Sequence, residues 1–265
     1  MTNNNILKNS ISFQMTQEFL DNKQYTEISI LHYEQIYGHN YISPGGEEVT
    51  DQFISTLNLR PAMRVLDVGC GLGGPAFRMA RQHGVNVHGI DLSANMIRIA
   101  ITRLKEEGLQ SVVNLKQANC LELNDDAVYD LVHSRDAFLH VKNKELLFEV
   151  ILNALVPGGR LCFSDYCLGQ TKPGADFKTY LHERNYSLLT VIDYTNILEN
   201  ADFKHVHGED RTEHFIKILK RELLNLENSS VKENEKYSLQ QSWMDKIKRA
   251  EGGEQSWGWF YGEKL

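Results

Sequence analysis

The stretch VLDVGCGLGG, residues 65–74, ends an apolar run at an aspartate and then sets four glycines within six residues. A turn without Cβ atoms lets a ligand touch the backbone where a buried strand stops. Twenty residues beyond Gly71, the segment NVHGIDL presents Asp91, an acid able to accept hydrogen bonds from both hydroxyls of a ribose. A dinucleotide would want its pyrophosphate at the N-terminus of the next helix. Asp67, just before the turn, opposes that anion and suits the ammonium group of an amino-acid tail. A glycine turn without a ligand is the third reading. Farther on, Asp136 and His140 stand four apart in SRDAFLH. They fit an acid and a base lining a cleft, or equally a capping aspartate and a satisfied core histidine.

These residues need elements to hold them. RVLDVGC (64–70) reads as a buried parallel strand, and a helix follows from Pro75 to His83, with proline in its opening turn. NVHGIDL is a second strand, and Ser93 is placed to cap the helix after it. VVNLKQANC and YDLVHSRDAFLH are strand-like, the latter running into a loop. KELLFEVILNALVPGG is an amphipathic helix ending at Pro-Gly-Gly, before the strand RLCFSDYC. This alternation predicts a parallel sheet with helices on both faces. Helical segments fill residues 169–200 and 213–250, HVHGEDRT (205–212) is a strand, and QSWGWFYGE is a last one. Residues 12–60 are helix-rich. A helical insertion followed by a C-terminal strand fits an antiparallel edge hairpin.

The 265 residues are 42% hydrophobic and 24% charged, which suits a single domain over 1–265. A net charge of -7 without a basic stripe argues against nucleic acid as a partner. MTNNNILKNS lacks the basic start and apolar core of a signal peptide, and no run approaches the roughly eighteen apolar residues of a membrane span. The four cysteines have no metal-site spacing and read as reduced, buried thiols. A cytoplasmic monomer is expected, with no metal and no membrane partner.

The D-x-G-x-G turn with Asp91 after the second strand resembles S-adenosylmethionine-dependent methyltransferases. NKQYTEISILHYEQIYGHNYISPGG, HSRDAFLH, SDYC, YLHERNYSLLTVIDY, GEDRTEHFIKILKREL and GEQSWGWF closely resemble phosphoethanolamine N-methyltransferases. The likeness runs from about residue 18 to the end of the chain and is to the single-domain form of that family. It implies an α/β, Rossmann-like, class I fold: a doubly wound, mostly parallel seven-stranded sheet. It also implies an N-terminal helical lid (12–46), a cofactor-binding core (64–167) and substrate-side helical insertions (168–250). The cofactor would be S-adenosylmethionine. Gln24, Tyr33, Ile42, Ser43, Asp67, Gly69, Gly71, Asp91, Leu92, Asn119, Cys120 and Arg135 would surround it. In two places the chain departs from the pattern. Asn119-Cys120 stands where an aspartate usually accepts the adenine amino group, a role the Asn119 carbonyl can still fill. His133 replaces a tyrosine.

Methyl transfer from a sulfonium is an in-line displacement by a nitrogen lone pair. The ethanolamine nitrogen, with a pKa close to lysine's ~10.4, arrives protonated. The site must take that proton and hold the amine in line, and positioning alone supplies of order 7–11 kcal/mol in favourable cases. The resemblance implies that Tyr25 and His140 form a hydrogen-bonded dyad closing the lid, a task suited to a histidine near its pKa. It also implies that Asp136 anchors the amine and helps accept its proton. Tyr166, Tyr180, Arg184, Tyr186 and Lys246 would form the phosphobase pocket, with Lys248 the rival to Lys246. Trp243, Trp257 and Trp259 read as core. Three other functions compete: methylation of another small amine, sterol or quinone, a non-catalytic cofactor-binding protein, and a nicotinamide dehydrogenase. The phosphate clamp opposes a neutral lipid, the Tyr25, Asp136 and His140 set opposes a non-catalytic role, and Asp67 opposes a pyrophosphate.

Overall fold

In the computed structural model the described residues are 17–229 and 231–265, so positions 12–16 of the expected lid lie outside them. The chain opens with a π-helical turn, Leu20–Gln24, then helices α1 (Glu27–Tyr37) and α2 (Gly46–Ser55). There follow β1 (Arg64–Val68), α3 (Gly74–His83), β2 (Asn86–Asp91), α4 (Ala94–Glu107) and β3 (Val113–Gln117). Next come β4 (Tyr129–Arg135), α5 (Lys144–Ala154), β5 (Leu155–Leu168), α6 (Ala175–Glu183) and α7 (Val191–Asn200). The last elements are β6 (Lys204–Asp210), α8 (Thr212–Glu227), α9 (Glu233–Glu251) and β7 (Gln255–Glu263). No described helix is long and apolar enough to cross a membrane.

The seven strands form one sheet in the order β3-β2-β1-β4-β5-β7-β6. Strands β1 to β5 run parallel, and β7 lies antiparallel between β5 and β6. The chain winds outward from β1 and returns to β4, so the switch point opens at the carboxyl ends of these two strands, next to Gly69 and Asp136. Both faces are covered, as a parallel sheet requires. On β4, Leu131 packs into one apolar cluster with Phe53 and Val87, while Val132 packs into the other with Phe148 and Phe163.

Local chemistry sets the helix starts. The Ser93 hydroxyl accepts the Met96 N–H at 3.2 Å and caps α4. Thr190 and Asp193 form a reciprocal capping box at α7. Two boundaries differ from expectation. β5 begins at Leu155, directly after α5, and carries Pro-Gly-Gly inside it through a register shift opposite Tyr129 and Leu131. β3 stops at Gln117, because the Asn119 side chain accepts the Leu121 N–H at 3.1 Å and starts a 3-10 turn over Cys120–Glu122.

The N-terminal turn is fastened to α4. Asp21 lies at the positive end of that helix, where its carboxylate accepts from the Ser93 hydroxyl, the Ala94 N–H at 3.2 Å and the Asn95 N–H at 3.3 Å. Asn95 answers by donating to the carbonyls of Asp21, 3.1 Å, and Tyr25, 3.0 Å. This clasp hangs Gln24 and Tyr25 over the switch point.

Candidate active site

A cavity of about 490 Å³ occupies the switch point. The glycine turn forms one wall, with Gly69 at φ +72 and Gly71 at φ +53. A Cβ on Gly69 would stand 2.3 Å from the Ala137 Cβ, so nothing larger fits. Asp91 accepts the Gly71 N–H through one carboxylate oxygen and the Ser93 N–H through the other, each at 2.9 Å. Burial nevertheless lifts its pKa to about 6. Asp67 is buried, with one oxygen 2.7 Å from the Nδ1 of His133 and the other without a partner. Leu92, Asn119 and Cys120 line the far end. The Asn119 carbonyl already serves as the cap described above, so part of its accepting capacity is spent. Ile42 and Ser43 line the cavity from the loop before α2. Arg135 lines it too, but its guanidinium turns to Thr50 Oγ1, 2.7 Å, and the Pro44 carbonyl, 2.8 Å, so it braces that loop.

A second cavity, of about 50 Å³, adjoins the first, and Tyr25, Ile42 and Asp136 line both. Tyr166, Tyr180, Arg184, Tyr186 and Lys246 line the smaller one together. Lys246 is 6% exposed and lies 3.4 Å from the Tyr166 hydroxyl, whereas Lys248 is exposed. Burial pushes Lys246 below the ordinary lysine range, countered by buried Glu222. Glu222 accepts from the Gly45 N–H, 2.6 Å, and from the Trp243 indole, 3.1 Å. The Arg184 guanidinium lies 5.6 Å from the Tyr180 ring centroid. Gln24 and Tyr33, grouped with the cofactor by the resemblance, lie on this smaller cavity instead. The π-helical turn points Gln24 inward, where its amide donates to the Tyr186 hydroxyl at 3.0 Å.

At the junction the Tyr25 hydroxyl meets the Nε2 of His140 at 3.1 Å, with the rings edge-on. Burial, helped by the charges of Lys144 and Arg184, holds His140 down to about 3. The imidazole is therefore neutral at pH 7, and its Nδ1–H tautomer accepts a hydrogen bond from the Tyr25 hydroxyl, which differs from the expected histidine near its ordinary pKa. Burial raises the Tyr25 phenol above its usual value, so it stays a donor. Asp136 caps no helix. It stands in the left-handed region at φ +52, and its Oδ1 accepts from the Ser164 hydroxyl, 3.0 Å, and the Trp257 indole, 2.7 Å. Its Oδ2 takes no hydrogen bond and lies 3.7 Å from the Arg135 Nη2, a loose buried ion pair. Trp257 was missed as a site residue because apolar alternation explains it as core. The available signal was that a buried indole N–H needs an acceptor.

The donor set fits an S-adenosylmethionine molecule. Orphaned Asp67 Oδ2 suits an ammonium, half-buried Asp91 suits two ribose hydroxyls, and the glycine wall leaves room for the chain between them.

A family described as a methyltransferase domain matches residues 59–222. Phosphoethanolamine N-methyltransferase 1 of Zea mays is 42% identical over 94% of this chain, which spans 50% of that relative's length. The phosphoethanolamine N-methyltransferase of Plasmodium falciparum is 34% identical over 93% of this chain and 95% of its own. Among solved structures, phosphoethanolamine N-methyltransferase 2 of Haemonchus contortus, in complex with phosphomonomethylethanolamine and S-adenosylhomocysteine, superposes with a TM-score of 0.91. It is 31% identical, and the match covers 94% of this chain and 60% of that one. Sharing sequence along nearly its whole length with the Plasmodium enzyme, the chain belongs to the phosphoethanolamine N-methyltransferase family.

Proposed function

We propose that this protein methylates the nitrogen of phosphoethanolamine, or of its mono- and dimethyl forms, on the way to phosphocholine. The observation that carries the reading is the shared lining of the two cavities by Tyr25, Ile42 and Asp136, with a carboxylate oxygen between them that takes no hydrogen bond. A donor site thus abuts a pocket that combines two cations with tyrosine hydroxyls, as a phosphate monoester requires. A sterol or quinone offers no anion to Arg184 and leaves Lys246 to the nearby Glu222 carboxylate. The family's relatives named for this activity support the same conclusion.

S-adenosylmethionine would supply an electrophilic methyl group on its sulfonium sulfur. Asp67 would take the ammonium of its amino-acid end, Asp91 the ribose hydroxyls, and the 119–120 turn the adenine edge. Arg184 and Lys246 would grip the phosphate, helped by Tyr166, Tyr180 and Tyr186. The other end of the acceptor then reaches Asp136, whose Oδ2, not hydrogen-bonded, would take a hydrogen bond from the ammonium and then its proton, leaving a lone pair on nitrogen. Tyr25, held by neutral His140, would close the cleft and exclude water. We assign the lid to residues 12–46, the cofactor core to 64–167 and the acceptor side to 168–250, and place the enzyme in the cytoplasm.

The test is transfer of an isotopically labelled methyl group, read by mass spectrometry of the acceptor. Label should appear on at least one of the three phosphobases, and no label on any of them would reject the proposal.

A further inference from the structure

Asp136 is held more tightly than a carboxylate at a strand end needs to be. Its own N–H donates to the Ser164 carbonyl at 2.8 Å, which ties the end of β4 to β5. Its Oδ1 takes both the Ser164 hydroxyl and the Trp257 indole, the latter reaching across from β7. Ser164 and Trp257 are each 0% exposed, so water competes with neither bond. The indole cannot swing, because it stacks on Phe215 at 5.6 Å and meets Trp259 edge-on at 5.7 Å. Antiparallel pairing aligns Trp257 with Tyr166 of the smaller cavity, and Ser164 with Trp259, on one face of the sheet. Both hydrogen-bond donors fall on one oxygen, and the other, which faces only the Arg135 guanidinium at 3.7 Å, is on a residue that lines both cavities.

We infer that Trp257, with Ser164, is a positioning residue for methyl transfer: it locks Asp136 by Oδ1 so that Oδ2 alone faces the acceptor amine. This rests on the reading of Asp136 as the group that meets the amine. Trp257 touches neither donor nor acceptor and acts through the carboxylate. The physical basis is that an oriented acceptor fixes where the nitrogen lone pair points, and in-line attack depends steeply on that direction.

The test compares Trp257→Phe and Ser164→Ala with the wild type, measuring kcat and KM for phosphoethanolamine and the Kd of S-adenosylhomocysteine. Phenylalanine keeps an aromatic ring against Phe215 and removes only the N–H donor and part of the ring volume. We expect kcat to fall about tenfold or more, a larger change than the rise in KM, with the Kd within about twofold of wild type. Wild-type kcat in a folded variant would overturn the inference. So would a loss of S-adenosylhomocysteine affinity in step with kcat, which would mark a merely structural role. Should Trp257→Phe not fold, Ser164→Ala decides by the same criteria. Absence of phosphobase turnover in the wild type would instead sink the functional reading itself.

Discussion

At the scale of single residues, burial decides which groups carry charge. Asp91 is lifted to about 6, so below that pH it holds a proton and accepts hydroxyl hydrogen bonds poorly. We expect S-adenosylhomocysteine affinity, measured by calorimetry, to weaken as the pH falls through 6 and to level off above it. Asp91→Asn should bind more weakly and lose that dependence, and a flat wild-type profile would count against Asp91 as the ribose acceptor. His140, held down to about 3, has a folded value below its unfolded value of about 6.5. It therefore subtracts stability as the pH drops below the unfolded value, and its ring should remain neutral at pH 5 by nitrogen NMR. An imidazolium there would contradict the hydrogen-bond direction from Tyr25. Tyr25→Phe removes that donor, and turnover should fall roughly 10²-fold while cofactor affinity changes little. Arg184→Ala should raise the phosphoethanolamine KM by about tenfold to hundredfold, the worth of a charged hydrogen bond of about 1.5–3 kcal/mol. An unchanged KM would remove Arg184 from the phosphate clamp.

At the scale of elements, the site depends on two backbone devices. The first is the turn between β1 and α3. Gly69→Ala would put a side chain on a residue at φ +72 and drive it into Ala137, next to Asp136. We expect S-adenosylhomocysteine binding to drop at least about tenfold with a lower melting temperature, the backbone strain alone costing about 1–3 kcal/mol. Normal binding would show that the turn has slack. The second device is the clasp of Asp21 on the N-terminus of α4. Asp21→Ala should speed amide hydrogen exchange across residues 17–37 and leave exchange in the sheet unchanged. The elements themselves were largely legible in the sequence. Apolar runs ending at glycine marked β1, and Ser93 marked the start of α4. The break at Leu155 was not legible, since a bulge depends on partners across the sheet; the one at Gln117 rests on a local turn in which Asn119 caps Leu121, a signal the strand-like pattern of the segment hid. The site was legible by residue type, but periodicity reports only that a side chain is buried, not what its polar atom faces. Trp257 and Gln24 show this: both are buried, and their hydrogen-bond partners lie 121 and 162 residues away in sequence.

At the scale of the whole molecule, a chain of net charge -7 gathers Arg184 and Lys246 into one small pocket. Overall charge therefore says little about the ligand, and the local field decides it. The sheet brings donor and acceptor sites together because β7 returns antiparallel beside β5, so Tyr166 and Trp257 converge with residues at the end of β4. The central claim is that one carboxylate stands between a sulfonium donor and a phosphate-anchored amine. A crystal structure with S-adenosylhomocysteine and phosphoethanolamine bound together tests it most directly. We expect the amine within hydrogen-bond reach of Asp136 Oδ2 and turned toward the sulfur, with the phosphate between Arg184 and Lys246. An amine pointing away from the sulfur, or a phosphate bound elsewhere, would contradict it.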